Sequence, residues 1–196
     1  MLVWGCLGAA PSLLAELPSG AVLVYRVETQ RSTKPFVVRI GRFRPDIVLE
    51  WESESHQGTV HFHSVAVSSA DKLLTTGIFE PGVDQEFGDA MGRWLSSQMY
   101  RKLTQSGRVK VRLNNFSSQL VLRGRGSVEV SWNGTPQELP VVLVEDGRGG
   151  RWSFLDSAEN PLLVTYENPY YAEILERVAI ENASKLRWLK RMPPIK

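Results

Sequence analysis

The sequence is poor in the residues and charges that mark several classes of protein. It contains one cysteine among 196 residues, which excludes an internal disulfide and a cysteine-rich zinc site. Neither sign of charge is in clear excess, because 23 lysines and arginines stand against 21 aspartates and glutamates and give a formal net charge of +2. So small an excess does not predict a general nucleic-acid-binding surface. We therefore expect no nucleic-acid partner.

The signatures of common enzyme classes are missing as well. The chain has no Gly-x-Ser-x-Gly elbow, no phosphate-binding P-loop and no His-Glu-x-x-His. Gly124-Arg125-Gly126 lacks the third glycine of a dinucleotide site, and we interpret it as a bend or bulge in a pair of strands. The sequence thus predicts a protein that is not an enzyme and that uses no cofactor.

Residues 1–15, MLVWGCLGAAPSLLA, contain no charged side chain. The stretch is shorter than the roughly 20 apolar residues that span a bilayer. It resembles the apolar part of a secretory signal that lacks its positive start. Cys6 after Val3, Trp4 and Gly5 loosely matches a lipidation box, and a buried first strand is a further interpretation. We predict that residues 1–15 are a signal-peptide remnant, and we leave them out of the fold.

Short alternating segments separated by turn residues fill most of the chain after Leu17. They recur about every 10 to 12 residues, which is typical of successive antiparallel strands. The predicted strands cover residues 21–29, 35–40, 46–52, 59–68, 71–76, 108–113, 119–123, 127–132, 139–145, 151–156 and 161–166. Asn133-Gly134, between two of them, predicts a two-residue hairpin with a type I′ turn. With 42% hydrophobic residues, the chain can bury a sizeable core against this sheet.

One segment in the middle of the chain has the periodicity of a helix. Its apolar residues recur at steps of three and four, and they are Met91, Trp94, Leu95, Met99 and Leu103. The pattern predicts a helix over residues 89–104, with Asp89 as its N-cap and Gly107 as the residue that stops it. We expect this helix to be inserted into the sheet domain and to pack against it.

The C-terminal residues admit two interpretations. Residues 172–183 have helical spacing, whereas Val178, Ala179 and Ile180 also suit a closing edge strand. Residues 181–196 form a basic tail that has five basic and no acidic residues from Lys185 onwards. Such a tail either makes peripheral contact with an anionic membrane surface or a partner, or is a solvated end.

His61 and His63 are the one pair with the spacing of metal ligands. Residues two apart on a strand point to the same face, where neutral imidazoles can share a zinc ion. A site also needs a third ligand, and the nearest candidates in the sequence are His56, Glu52 and Glu54. The simpler interpretation, which we adopt, is that Val60 and Phe62 face the core while the histidines face water. We therefore predict no metal site.

These elements predict a mainly β (α+β) fold in a single domain over residues 17–180. We expect one curved antiparallel sheet or half-barrel with the inserted helix, and a C-terminal helix as one of the two interpretations of the chain end. The aromatic residues Trp132 and Trp152 lie on predicted strands and could line an apolar cavity, although strand tryptophans more often cover the edge of a core.

The order of several segments resembles that of known bacterial proteins. The segments are RWLSS (93–97), YRKL (100–103), the strand at 108–113, VSWNG (130–134), LPV (139–141), WSFLD (152–156) and ENPLL (159–163). This order resembles bacterial envelope proteins of unknown function, some of which precede an OmpA-like domain. It is more distantly similar to the LolA-like lipoprotein-carrier superfamily. The resemblance implies a strongly curved antiparallel sheet with helices plugging its concave side, where lipid tails or the acyl chain of a lipoprotein can be held.

The leading hypothesis is therefore a non-enzymatic, exported protein of the bacterial envelope, periplasmic or associated with the outer membrane. It would bind an apolar ligand, such as a lipid or acyl chain, or a protein partner on the concave face of its sheet. The predicted lining, whose members are also the best candidates for the core, is Trp94, Leu95, Met99, Trp132 and Trp152. The alternatives are an interaction module without a small ligand and a zinc-dependent enzyme that uses His61 and His63.

Overall fold

The computed structural model describes residues 17–54 and 56–180. In these ranges the chain forms thirteen strands and two short helices. The elements are β1 (Val22–Thr29), β2 (Thr33–Phe43), β3 (Ile47–Ser53), β4 (His56–Phe62), α1 (Ser64–Ser69), β5 (Lys72–Leu73), β6 (Gln85–Phe87), β7 (Ala90–Met91), α2 (Ser97–Ser106), β8 (Arg108–Leu113), β9 (Phe116–Trp132), β10 (Thr135–Asp146), β11 (Arg151–Leu155), β12 (Leu163–Asn168) and β13 (Tyr171–Ala179). The predicted signal-peptide remnant and basic tail lie outside the described residues.

All of these strands belong to one curved sheet, so the predicted fold class is confirmed. Their order is β6-β4-β3-β2-β1-β13-β12-β11-β10-β9-β8-β5-β7, and the long strands pair with their neighbours in antiparallel fashion. The sheet curls far enough that the end of β13 also touches the end of β9, through Arg177 beside Ser131 and Val178 beside Trp132. Its two outer strands, β6 and β7, do not meet, so the sheet stays open.

Several local patterns in the sequence are confirmed. In β8 the residues Val109, Val111 and Leu113 are buried and alternate with exposed basic residues, as period-two patterning requires. Asn133 and Gly134 both have positive φ, and Trp132 pairs with Thr135 across them, so the predicted two-residue hairpin is present.

The glycine-containing segment 124–126 is also confirmed as a bulge. The pairing of β9 with β10 shifts register there, because Gly124 lies opposite Leu143 while Leu122 lies opposite Val144. Arg123 is the extra residue between them, and such an insertion bends a strand and increases its twist.

The predicted helix over 89–104 is wrong at its beginning and right at its end. Trp94 forms an isolated bridge with Leu162, and the backbone N–H of Leu95 donates to Pro161 O, so this segment is extended and docked on the sheet. The N-cap is Ser96, not Asp89, since its side chain accepts a hydrogen bond from the backbone N–H of Met99 at 3.1 Å. Gly107 has φ of 72° and ends α2 as predicted.

The predicted strand over 59–68 is wrong in its second half. The strand ends at Phe62, and the backbone N–H of Ser64 donates to Asp46 Oδ1 at 2.7 Å. The chain then forms α1, in which Ala66 and Val67 are buried while Val65 is exposed. Val65 and Val67 are two residues apart, which is typical of a strand, but both belong to helix α1. The next predicted strand, 71–76, shortens to β5.

Of the two interpretations of the chain end, the helix is wrong over residues 172–180, and the closing edge strand is right as a strand and wrong as an edge. The segment is strand β13 and not a helix, and it lies in the middle of the sheet and not at its edge. Its backbone pairs with β1 on one side and β12 on the other. Because ladders on both sides use its backbone groups, the pairing overrides a side-chain spacing that suits a helix equally well.

The core fills the inner face of the curved sheet. Helix α2 packs on β8 and β9 through Met99, Tyr100 and Leu103, all of which are buried. Neither helix of the described part of the chain has the length and apolar character that a bilayer-spanning helix requires.

Candidate functional site

A cavity of about 220 Å³ opens between the sheet and the loop that follows β5. Strands β1, β2, β3, β11, β12 and β13 supply one side, and residues 74–79 of the loop supply the other. The largest side chains in its walls are Phe36, Ile78, Phe79, Trp152, Tyr166 and Tyr171. The walls are thus chiefly apolar and aromatic, and three charged residues, Lys34, Arg93 and Glu173, lie among them.

Arg93 and Glu173 form a buried ion pair. Arg93 Nε donates to Glu173 Oε1 at 2.5 Å, and the two side chains are only 7% and 8% exposed. Tyr171 adds a second donor, because its hydroxyl group donates to Glu173 Oε2 at 2.9 Å. Without its partner, each ion would be left charged in a medium of low polarity. Separation of the two side chains is therefore costly.

Three aromatic rings surround the guanidinium group of Arg93. Its Cζ lies 4.2 Å from the ring centre of Phe79, 4.4 Å from that of Phe36 and 5.0 Å from that of Tyr25. At these distances the ring faces attract the cation and replace part of its lost hydration. Among the described residues, this guanidinium group makes a single hydrogen bond, the one from its Nε to Glu173. The four N–H groups on the two Nη atoms can therefore serve an acceptor that enters the cavity.

The tyrosines of the site stay neutral. Burial raises the pKa of Tyr171, and the negative charge of Glu173 raises it further. Burial also raises the pKa of Tyr25 far above its usual range, and the Tyr25 hydroxyl group donates to Leu163 O at 2.9 Å. Both phenols therefore keep their protons and act as hydrogen-bond donors at physiological pH.

Asp146 positions Trp152 in the cavity wall. Asp146 Oδ2 accepts a hydrogen bond from Trp152 Nε1 at 3.0 Å. Asp146 Oδ1 accepts from the backbone N–H groups of Arg148 at 2.7 Å and Gly150 at 3.0 Å. The indole ring also contacts the ring of Tyr166, with the ring centres 4.1 Å apart. The glycine-rich turn thus fixes a carboxylate, and the carboxylate fixes the indole.

Replacing Gly150 with alanine should disturb this arrangement. A Cβ at position 150 would lie 2.2 Å from Asp146 Oδ2 and 3.0 Å from the ring of Tyr166, so the carboxylate must move and release Trp152. We expect the free energy of unfolding to fall by about 1–3 kcal/mol, as for other overpacked sites. Urea denaturation followed by tryptophan fluorescence measures it.

Gly88→Ala is the matched control for that prediction. Nothing lies within 4 Å of a Cβ at Gly88, and its φ is not in the left-handed region. Equal stabilities of the two variants would contradict the role given to Gly150.

Two local features hold the loop that forms the other wall. Asn114 Oδ1 accepts from the backbone N–H of Thr75 at 2.9 Å, and Asn114 Nδ2 donates to Thr75 Oγ1 at 2.9 Å. Gly92 lets Ile78 approach, because a Cβ there would lie 2.6 Å from Ile78 Cδ1. The loop is therefore pinned at both ends of its apolar section.

The structure separates the five residues predicted to line a binding site. Trp152 lines the cavity, whereas the other four, Trp94, Leu95, Met99 and Trp132, pack in the core. Ligand contact therefore stays a prediction, and Trp152 is the member of the set best placed for it. Arg93 and Glu173 were not predicted as site residues, because their signal in the sequence is slight. Arg93 is a single charge between Gly92 and Trp94, and Glu173 occupies an alternating position of a strand.

A second cluster of polar side chains lies at the start of β3 and the end of β4. The potential ligand atoms of Asp46, His61 and His63 all lie within 4.8 Å of one another. Asp46 Oδ2 lies 3.0 Å from His61 Nε2, and this hydrogen bond is the main cause that lowers the pKa of Asp46. The structure thus joins the two histidines to Asp46, while the predicted third ligands His56, Glu52 and Glu54 are not in the cluster.

Comparison of the chain with models of protein families, with curated proteins and with solved structures found no match. The relationship to LolA-like carriers stays an expectation from the sequence. The chemistry of the cavity therefore has to supply the argument for function.

Proposed function

We propose that the protein is a non-enzymatic binding protein whose cavity holds an apolar ligand with an anionic end. The observation that carries this proposal is an aromatic cavity in which the Arg93–Glu173 pair forms part of the wall. Ligand sites in proteins commonly combine apolar walls with a few fixed polar groups that orient the ligand. Here the aromatic and aliphatic residues supply the walls, and Arg93 supplies the fixed donor.

The size of the cavity limits the ligand. An apolar cavity of about 150 Å³ is known to hold one benzene molecule. On that scale, the 220 Å³ available here accepts an apolar body of roughly six to ten carbon atoms. A medium-length acyl chain meets this requirement, whereas a complete diacyl lipid would have to leave most of its chains outside.

The charges in the wall favour an acid at the other end of the ligand. Arg93 and Lys34 are the basic residues of the lining, and Glu173 is its acidic residue. A carboxylate can accept from the Nη atoms of Arg93 while Nε keeps its bond to Glu173. Hydrogen bonds between charged partners contribute about 1.5–3 kcal/mol. We therefore propose a medium-chain fatty acid or an acyl group with a similar acceptor as the ligand class.

Octanoate is the probe for this proposal, measured by isothermal titration calorimetry. We expect wild-type protein to bind one octanoate and to bind 1-octanol about tenfold more weakly, because the alcohol lacks the charge that Arg93 recognises. Val27→Phe places a larger side chain in the lining and should weaken octanoate binding at least about tenfold.

Val65→Phe is the matched control, because Val65 is exposed on α1 and is not part of the lining. It should bind octanoate as the wild type does. Equal affinities of the Val27 and Val65 variants, or no octanoate binding by the wild type, would overturn the proposal. The outcome would then favour the interaction module without a small ligand.

We also propose that the protein acts in the bacterial envelope. The uncharged residues 1–15, which resemble the apolar part of a secretory signal, support export to the bacterial envelope. A protein partner on the sheet is the alternative.

A further inference from the structure

We propose that Asp46, His61 and His63 bind a zinc ion, with Glu86 as the fourth ligand. This zinc site lies on the outer side of the β3–β4–β6 end of the sheet and uses none of the residues that line the acyl cavity. The inference is therefore independent of the proposed function.

The backbone brings the two imidazoles together. Val60 and Phe62 of β4 are fully buried, so the residue between them, His61, points away from the core. His63 follows directly after the strand, and the two rings lie with their centres 4.2 Å apart. The pairing of β4 with β6 then sets Glu86 opposite His61.

The distances suit a tetrahedral ion. With bonds of about 2.0–2.1 Å to zinc, neighbouring ligand atoms of a tetrahedron lie about 3.3 Å apart. Asp46 Oδ2 is 3.0 Å from His61 Nε2, and Glu86 Oε2 is 3.2 Å from His63 Nε2. The ligand atoms of Asp46, His61 and His63 all lie within 4.8 Å of one another, so these three need to close by at most about 1.5 Å. Glu86 lies outside this cluster, contacts His63 alone of the three, and has to turn its exposed side chain towards the ion. Side-chain rotation supplies such a movement without a change in the strands.

Asp46 is already oriented for this role. Its Oδ1 accepts from the backbone N–H of Ser64 at 2.7 Å, which leaves Oδ2 directed at His61. Arg42 Nη2 lies 3.3 Å from the same Oδ2 and is more than half exposed, so it can swing into solvent when a cation arrives. Hydrogen bonds that fix a ligating carboxylate are a regular part of metal sites.

The exposure of the cluster allows an ion to enter. The side chains of Asp46 and His61 are 22% and 23% exposed, and those of His63 and Glu86 are 41% and 69% exposed. The inner pair is thus sheltered, whereas the outer pair faces solvent. Two imidazole nitrogens select zinc over magnesium or calcium, which prefer oxygen ligands alone.

The test is a zinc titration of tag-free protein in competition with a chromophoric chelator. We expect one zinc per chain, with no displacement by millimolar magnesium. His61→Ala and His63→Ala should each weaken zinc binding by at least about 100-fold, because the loss of a group that merely orients a metal ligand already costs about 10–100-fold. Asp46→Asn should weaken it by about tenfold or more.

His56→Ala is the matched control, because His56 lies on the same strand and outside the cluster. It should bind zinc as the wild type does, and so should Val27→Phe, which blocks only the acyl cavity. Cobalt substitution gives a second measurement, since a four-coordinate site with imidazole ligands has visible absorption that His63→Gln should reduce. Zinc binding by the wild type no tighter than by a His61→Ala/His63→Ala double variant would overturn the proposal.

Discussion

Replacing Glu173 with glutamine should lower the free energy of unfolding by about 3–5 kcal/mol, because it leaves the buried guanidinium group of Arg93 without its counter-charge. The Arg93 side chain is 7% exposed and cannot turn to bulk water for compensation. The rings of Phe36 and Phe79 offset part of the loss, but cation–π contacts supply about 2 kcal/mol at a desolvated site. Urea denaturation followed by fluorescence and by circular dichroism measures the change.

Two comparisons make this prediction specific. Glu50→Gln removes one partner of the exposed pair between Arg39 and Glu50, and we expect a change within about 0.5 kcal/mol. The double variant Arg93→Met/Glu173→Met replaces both ions with apolar side chains and should be more stable than Glu173→Gln. A loss below about 1 kcal/mol in Glu173→Gln would show that the pair is not buried as described.

Replacing Trp94 with alanine should cost about 3–5 kcal/mol from the lost packing alone. Trp94 is 1% exposed and is the largest fully buried side chain of the described core. Its Nε1 donates to Asn160 Oδ1 at 2.8 Å, and Asn160 is fully buried, so removal of this donor adds a penalty of about 1–3 kcal/mol. We expect the variant to be largely unfolded at 37 °C, which far-UV circular dichroism and thermal unfolding test.

Trp94→Phe separates the two contributions. It keeps most of the buried apolar area and removes the hydrogen bond to Asn160, so the expected loss is only about 1–3 kcal/mol. If the phenylalanine and alanine variants were equally unstable, packing would not be the main contribution of Trp94. Trp94 is also a poor candidate for ligand contact, because its ring is buried in the core and its indole N–H is bonded to Asn160.

Two features of the sheet, strand β8 and the hairpin between β9 and β10, were predictable because their signals are local. The alternation in β8 and the Asn133-Gly134 turn each depend on neighbours within a few positions, and both are confirmed. The beginning of α2 was not predictable from spacing, since Trp94 and Leu95 satisfy a helical period while their backbone bonds reach Pro161 and Leu162. A contact so distant along the chain leaves no periodic trace near Trp94.

The candidate sites show the same limit. His61 and His63 were found as a pair because strand geometry relates residues two apart, but Asp46 joins them only through the pairing of β3 with β4. The sequence gives even less indication of the site around Arg93. Its ion-pair partner Glu173 and the aromatic residues Phe36 and Phe79 that contact it come from three separate parts of the chain. Composition and spacing therefore predict aromatic walls, whereas the sheet order decides which residues face one another.

The central place of β13 has a consequence for the order in which the protein can be made. Synthesis proceeds from the N-terminus, so β1 and β12 leave the ribosome before the strand that pairs with both of them. Until residues 171–179 emerge, each of these strands presents an unpaired edge, and such edges readily pair with other chains. The edge of β1 therefore stays unpaired while the chain from Thr29 to Tyr171 is made, whereas β12 is followed at once by the strand that covers it.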